Sequence, residues 1–105
     1  MPQFSVYKNR NAATKVRVPY LLDVQSDLLS ELETRVVVPL YAAAAVKGSV
    51  LSVLTPRFEV EGKELVAMTP QLAGISRKEL GPEVEQLTHQ RDEIVRALDF
   101  LITGI

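Results

Sequence analysis

Apolar and polar positions alternate near the start of the chain, where Phe4 and Val6 flank the polar Ser5, as in a strand with one buried face. Turn-forming residues then fill Asn9 to Thr14, which predicts an exposed loop. Val18 to Gln25 is denser in apolar residues, with Val18, Tyr20, Leu21, Leu22 and Val24, and predicts a second strand. Pro19 suits a strand entry or an edge, because proline cannot donate to a hydrogen-bond ladder. Next comes a loop that carries the apolar pair Leu28 and Leu29. Arg35 to Leu40 then sets Val36, Val37 and Val38 in succession, which reads as a strand buried on both faces.

Tyr41 to Val46 holds four consecutive alanines and predicts a short helical turn ended by Gly48. Arg57 to Val60 and Leu65 to Thr69 read as two strands, joined through Glu61-Gly62-Lys63 into a hairpin. Pro70 closes the second strand, and Gly74, Gly81 and Pro82 punctuate the stretch before the last element. Beyond Pro82, Val84, Leu87, Ile94, Leu98 and Leu101 recur at helical spacing, with Ala97 beside them. That spacing predicts a helix over about 83–101, about 28 Å long. Glu83 and Glu85 would then stand at its N-terminal end, where carboxylates favour the helix dipole, and Gly104 would terminate it. With no repeat or linker visible, the expected fold class is mainly β, about five strands and one C-terminal α-helix in a single domain over 1–105.

Composition narrows the function classes. Of 105 residues, 47% are hydrophobic and 24% charged, which excludes disorder throughout the chain. A chain of this length without disulfides buries around 60–70% of its unfolded surface, so association into a homodimer is a natural expectation. Twelve basic against thirteen acidic residues argue against a protein that mainly holds nucleic-acid phosphates. The absence of cysteine excludes disulfides, thiolate nucleophiles and Cys-ligated metals. A single histidine would leave a zinc site to carboxylates, so neither metal nor cofactor is expected. No apolar run reaches the roughly 18 residues of a membrane span, and Met1 to Ser5 lacks signal-peptide character. A soluble cytoplasmic protein without membrane contact is the expectation.

The charges are segregated. The first 22 residues hold Lys8, Arg10, Lys15 and Arg17 and no acid, against 8 basic and 13 acidic residues in the rest. This is either a solvated loop that happens to be basic or a docking site for an acidic partner segment. Catalytic constellations are thin. His89 lies near Arg91 and Asp92 but has no nucleophile in evident reach, and reads as a structural or exposed histidine. Asp23/Asp27 and Glu59/Glu61 flank period-two positions and read as solvated strand-face charges. Glycines are too scattered for a phosphate loop, and aromatics too dispersed for base stacking. These patterns indicate a binding protein rather than an enzyme.

Three stretches together resemble the CcdB family, the toxins of CcdAB toxin–antitoxin modules: Asp23-Val24-Gln25-Ser26-Asp27-Leu28-Leu29, Thr34-Arg35-Val36-Val37-Val38-Pro39-Leu40, and the tail from Leu87-Thr88-His89 to Thr103-Gly104-Ile105. Gln3-Phe4-Ser5-Val6-Tyr7 also fits, and motif order matches from end to end. The resemblance implies a homodimer with a small SH3-like β-barrel that is not an enzyme. It implies binding to the A subunit of DNA gyrase and trapping of the gyrase–DNA cleavage complex. It further implies neutralisation by the CcdA antitoxin, with operator DNA contacted only through CcdA. Carried over by residue, the gyrase-facing surface falls on Leu28 and Leu29 and on Arg91, Asp92, Val95, Asp99, Thr103, Gly104 and Ile105. Val95 is singled out as apolar yet off the stripe of Leu87, Ile94, Leu98 and Leu101.

Lys8, Arg10, Lys15 and Arg17 are the candidate antitoxin contacts. The chain departs from the family pattern at Thr103, where the best-known member carries a tryptophan anchor. Without that ring, which can be worth about 2 kcal/mol or more, gyrase binding would be weaker, centred on Ile102 and Ile105, or lost. The competing readings are an RNA-cleaving toxin of the MazF/Kid type on the same barrel, and a non-toxic homologue that retains dimerisation and antitoxin binding.

Overall fold

In the computed structural model, which describes residues 2–46 and 53–104, the alternating segments pair into one curled antiparallel sheet followed by a helix. The strands are β1 (Ser5–Asn9), β2 (Tyr20–Asp23), β3 (Thr34–Ala42), β4 (Arg57–Val60), β5 (Lys63–Ala67), β6 (Ala73–Ser76) and β7 (Leu80–Gln86); α1 is Arg91–Thr103. Their order is β4-β5-β3-β2-β1-β7, with β6 pairing the first half of β3 while β5 pairs its second half. The fold is thus mainly β, a half-barrel with one C-terminal helix, as expected.

Period-two alternation decides which side chain enters which core. Val6, Tyr20, Leu22, Val38 and Leu40 point into the main core with Phe58, Val60 and Leu65 of the β4–β5 hairpin, and Leu87 and Ile94 close it. Their neighbours Tyr7, Leu21 and Val37 fall on the opposite face and join Val18 and Leu80 in a smaller cluster. The dense apolar runs of β2 and β3 result from this, because both strands are covered on both sides. In the β4–β5 hairpin, Val60 faces Lys63, and the two residues between them, Glu61 and Gly62, have φ of 52° and 77°. Left-handed conformation at both positions is the tight turn that matches strand twist, and glycine takes it without steric cost. The turn folds back over the sheet: the Tyr20 hydroxyl donates to Glu61 at 2.5 Å, and the Glu61 N–H donates to the Glu85 carboxylate at 3.2 Å.

The expectation of a helix from about 83 is overturned. Leu80 to Gln86 pairs antiparallel with β1, and α1 begins only at Arg91. Glu83 and Glu85 lie in a strand opposite Tyr7 and Val6, and the acids in the first turn of α1 are Asp92 and Glu93. Pro82 is accommodated because β7 is an edge strand, where a missing N–H breaks no second ladder. Gly81 is required there, since a Cβ would lie 2.7 Å from the Lys8 carbonyl oxygen. Leu87 still reaches the core, from the connection before α1 rather than from the helix itself. The strand count rises to seven among the described residues, since β6 and β7 were not foreseen. The alanine run makes a short 3-10 turn at Ala43–Ala45, while Gly48, expected to end it, lies outside the described residues.

Candidate functional site

β2 ends in a group of buried polar side chains. Asp23, Gln25 and Arg35 are all buried, and Asp23 and Arg35 have no solvent-exposed surface. Arg35 donates to the Asp23 carboxylate through Nε at 2.8 Å and through a terminal guanidinium nitrogen at 2.7 Å. Two charges taken from water together need such geometry, and removing one would strand the other. Burial pushes the Asp23 carboxyl up, opposed by the Gln25 N–H donated to it and by the Arg35 cation. Asp23 is therefore not a solvated strand-face charge, which corrects the sequence expectation. Asp27 is exposed, as expected, and accepts a hydrogen bond from the Gln3 N–H at 2.6 Å.

Beyond this group the chain makes a 3-10 turn at Asp27–Leu29, capped by the Ser26 hydroxyl, which accepts from the Leu28 N–H at 3.2 Å. The turn leaves Leu28 93% exposed and Leu29 49% exposed, with Leu32 at 48% close by. Fully burying one leucine yields about 1.5–3 kcal/mol, so an exposed pair offers that energy to a partner. Asp27, Glu31 and Glu33 are exposed around the three leucines.

On α1, the helical repeat places Arg91, Val95, Asp99 and Thr103 along one side, each one turn from the next, with Asp92 beside them. Arg91, Asp92, Asp99 and Thr103 are exposed. Val95 is only half-exposed and packs against the main core, because it lies at the border of the face formed by Ile94, Ala97 and Leu98. Its off-stripe position thus reflects the rim of the core, not a free apolar residue. The Thr103 hydroxyl donates to the Asp99 carbonyl at 2.6 Å, Gly104 ends the helix at φ 75°, and Ile102 is 74% exposed. Ile105 lies outside the described residues.

The N-terminal segment links the turn to the approach of the helix. Besides the Gln3 bond to Asp27, the Phe4 N–H donates to the Asp23 carbonyl, and the Phe4 carbonyl accepts from the Leu87 N–H at 2.9 Å. Phe4 is buried with φ of 70°, a conformation that a bulky residue adopts only when its surroundings enforce it.

Lys8, Arg10, Lys15 and Arg17 are all exposed, on β1 and on the loop after it. Asn9 shapes that loop, donating through its side-chain amide to the Thr14 hydroxyl at 3.0 Å and the Val18 carbonyl at 2.8 Å. Arg17 stands 6.0 Å from the centre of the Tyr41 ring. Lys8 and Lys15 line a shallow groove of about 350 Å³ with Pro19, Tyr20 and Glu61, and Lys63 joins them from the β4–β5 hairpin. Lys63 lies 5.8 Å from the Tyr20 ring centre and was not foreseen, since nothing in sequence ties the hairpin to residues 8–17. His89 is exposed in the short turn before α1. Among the described residues no three His, Asp or Glu side chains gather as a metal site, and no helix is long and apolar enough to cross a membrane.

The half-barrel with its C-terminal helix recurs among solved structures. A solved endoribonuclease in complex with its cognate antitoxin, from Mycobacterial species, superposes with a TM-score of 0.73 over 97% of this chain and 95% of that one. At 14% identity that likeness is one of fold. The family model described as CcdB protein matches residues 3–104, and the chain belongs to the CcdB family, toxins of toxin–antitoxin systems.

Proposed function

We propose that this protein is a non-enzymatic toxin that binds the A subunit of DNA gyrase as a homodimer and traps gyrase on cleaved DNA. The observation that carries the reading is the Leu28–Leu29 turn, an apolar pair held out in solvent on a polar-bonded scaffold within a CcdB-family chain. Leu28, Leu29, Arg91, Asp92, Val95, Asp99, Thr103, Gly104 and Ile105 form the proposed gyrase-facing surface. The exposed apolar Ile102 extends it where the family's tryptophan is replaced by Thr103. The acidic segment of a CcdA antitoxin docks on Lys8, Arg10, Lys15 and Arg17, and the lysine groove completed by Lys63 supports this assignment. Operator DNA is bound only through the antitoxin.

The test is induced expression in a gyrase-sensitive strain beside an isogenic strain with CcdB-resistant gyrase A. Killing of the first alone, with gyrase-dependent DNA breaks, is the expected result. Equal killing of both strains, accompanied by RNA cleavage by the pure protein, would favour the endoribonuclease reading that the fold likeness motivates. Growth of both strains would leave a homologue that dimerises and binds antitoxin without poisoning gyrase.

A further inference from the structure

The turn that presents the leucines has little apolar packing to hold it, since none of Asp27, Leu28 and Leu29 is buried. Polar bonds set its shape, and one buried side chain spans the loop that contains it. Gln25 is 6% exposed; its Nε2 donates to the Leu29 carbonyl at 2.9 Å and its Oε1 accepts from the Val36 N–H at 3.0 Å. Its own N–H donates to the Asp23 carboxylate at 3.0 Å, on the anion paired with Arg35. The Leu29 carbonyl also accepts from the Leu32 N–H at 3.1 Å, so Leu29 and Leu32 are both tied to the group that Gln25 holds, and Leu28 stands between that anchor and the Ser26 cap. A donor at one position and an acceptor at the other are what a primary amide supplies. Glutamate keeps the acceptor and loses the donor, and methionine has comparable length with neither strong group.

We infer that Gln25 is a positioning residue: it latches the turn to β3, so that Leu28, Leu29 and Leu32 stand as a preformed platform for gyrase. The inference rests on the gyrase reading above for its partner. A platform already ordered in the free protein avoids the ordering cost of a loop that must settle on contact. Gln25 itself is buried, so it acts through the turn and not by touching the partner.

The test compares Gln25→Glu and Gln25→Met with the unaltered protein in amide hydrogen exchange and in binding to a purified gyrase A fragment. Gln25→Glu retains the acceptor for Val36 but sets a carboxylate against the Leu29 carbonyl. Exchange at Ser30 and Leu32, whose N–H groups bond within the turn, should accelerate about tenfold or more, while amides of β1 and β2 keep their protection. Gyrase affinity should fall about tenfold in both variants, with the melting temperature better retained in Gln25→Met, which buries no unpaired charge. Unchanged exchange in the turn would overturn the inference. So would undiminished gyrase binding in a variant whose turn had loosened, or a uniform loss of protection across the sheet. If the unaltered protein does not bind the gyrase fragment, the gyrase reading fails. The latch is then judged by exchange alone, where selective acceleration supports it and no change refutes it.

Discussion

Replacing Arg35 with methionine should be among the most damaging single changes available in this molecule. Arg35 and Asp23 are fully buried and joined by bonds of 2.7 and 2.8 Å. Methionine fills much of the arginine volume, so the substitution removes a charge more than it opens a cavity. It leaves the Asp23 carboxylate buried with the Gln25 N–H as a remaining donor. Breaking one side of such a pair costs about 3–5 kcal/mol, against a total stability of about 5–15 kcal/mol. For a domain near 100 residues, each 1 kcal/mol lowers the melting temperature by about 4–8 °C.

The pH dependence gives a second signature. Asp23 already has its carboxyl pushed up by burial, and removing the cation takes away an influence that lowers it. A raised carboxyl contributes stability below its unfolded pKa near 3.9 and loses it as pH rises through the folded value. The deficit of Arg35→Met against the parent should therefore be larger at pH 7 than at pH 4. Asp23→Asn placed on top of Arg35→Met removes the stranded charge and keeps an oxygen for the Gln25 N–H, and should restore at least about 1 kcal/mol. The assay is urea unfolding at fixed protein concentration, because association would otherwise shift the apparent stability. A deficit below about 1 kcal/mol at pH 7, or one equal at both pH values, would refute the reasoning.

Deleting Thr103-Gly104-Ile105 should abolish killing on induction yet change unfolding by less than about 1 kcal/mol, since Thr103 and Gly104 are exposed and Thr103 makes only a bond within the helix. Full toxicity would contradict the surface assignment. Neutralising Lys8, Arg10, Lys15 and Arg17 should preserve the melting curve and slow association with a CcdA peptide at low salt, and Lys63→Gln should add to the effect; unchanged on-rates would return the segment to a solvated loop. Burial and the Glu61 carboxylate push the Tyr20 phenol up to about 12. Ultraviolet titration should then show Tyr20 ionising late, alongside Tyr7, which burial also pushes up, with stability falling above about pH 10 as the unfolded chain releases protons that the folded chain keeps. Glu61→Gln should bring the Tyr20 ionisation down, and an unmoved titration would exclude the contact.

Periodicity along the chain determined the elements whose signal is local. The valine run of β3 forced a strand covered on both faces, and Glu61-Gly62 specified the β4–β5 turn. Gly104 ended the helix where a left-handed residue was needed. The Leu28–Leu29 pair was legible as an apolar anomaly in a loop, and the first four basic residues as a charged segment. Tertiary pairing decided the rest. Val84 and Leu87 fit a helical repeat as well as a strand and a connection do. Only the partnership with β1, more than 70 residues away in sequence, made residues 80–86 a strand. Val95 looked free until the rim of the core reached it. Asp23 and Arg35 sit on different strands, and nothing local distinguishes a carboxylate that meets water from one that meets a guanidinium. Gln25 reads as an ordinary polar residue until β3 brings a donor, and the turn an acceptor, to the two ends of its amide. Local pattern reports which face of an element is apolar; pairing across the chain sets which polar groups are buried, and therefore which must find partners.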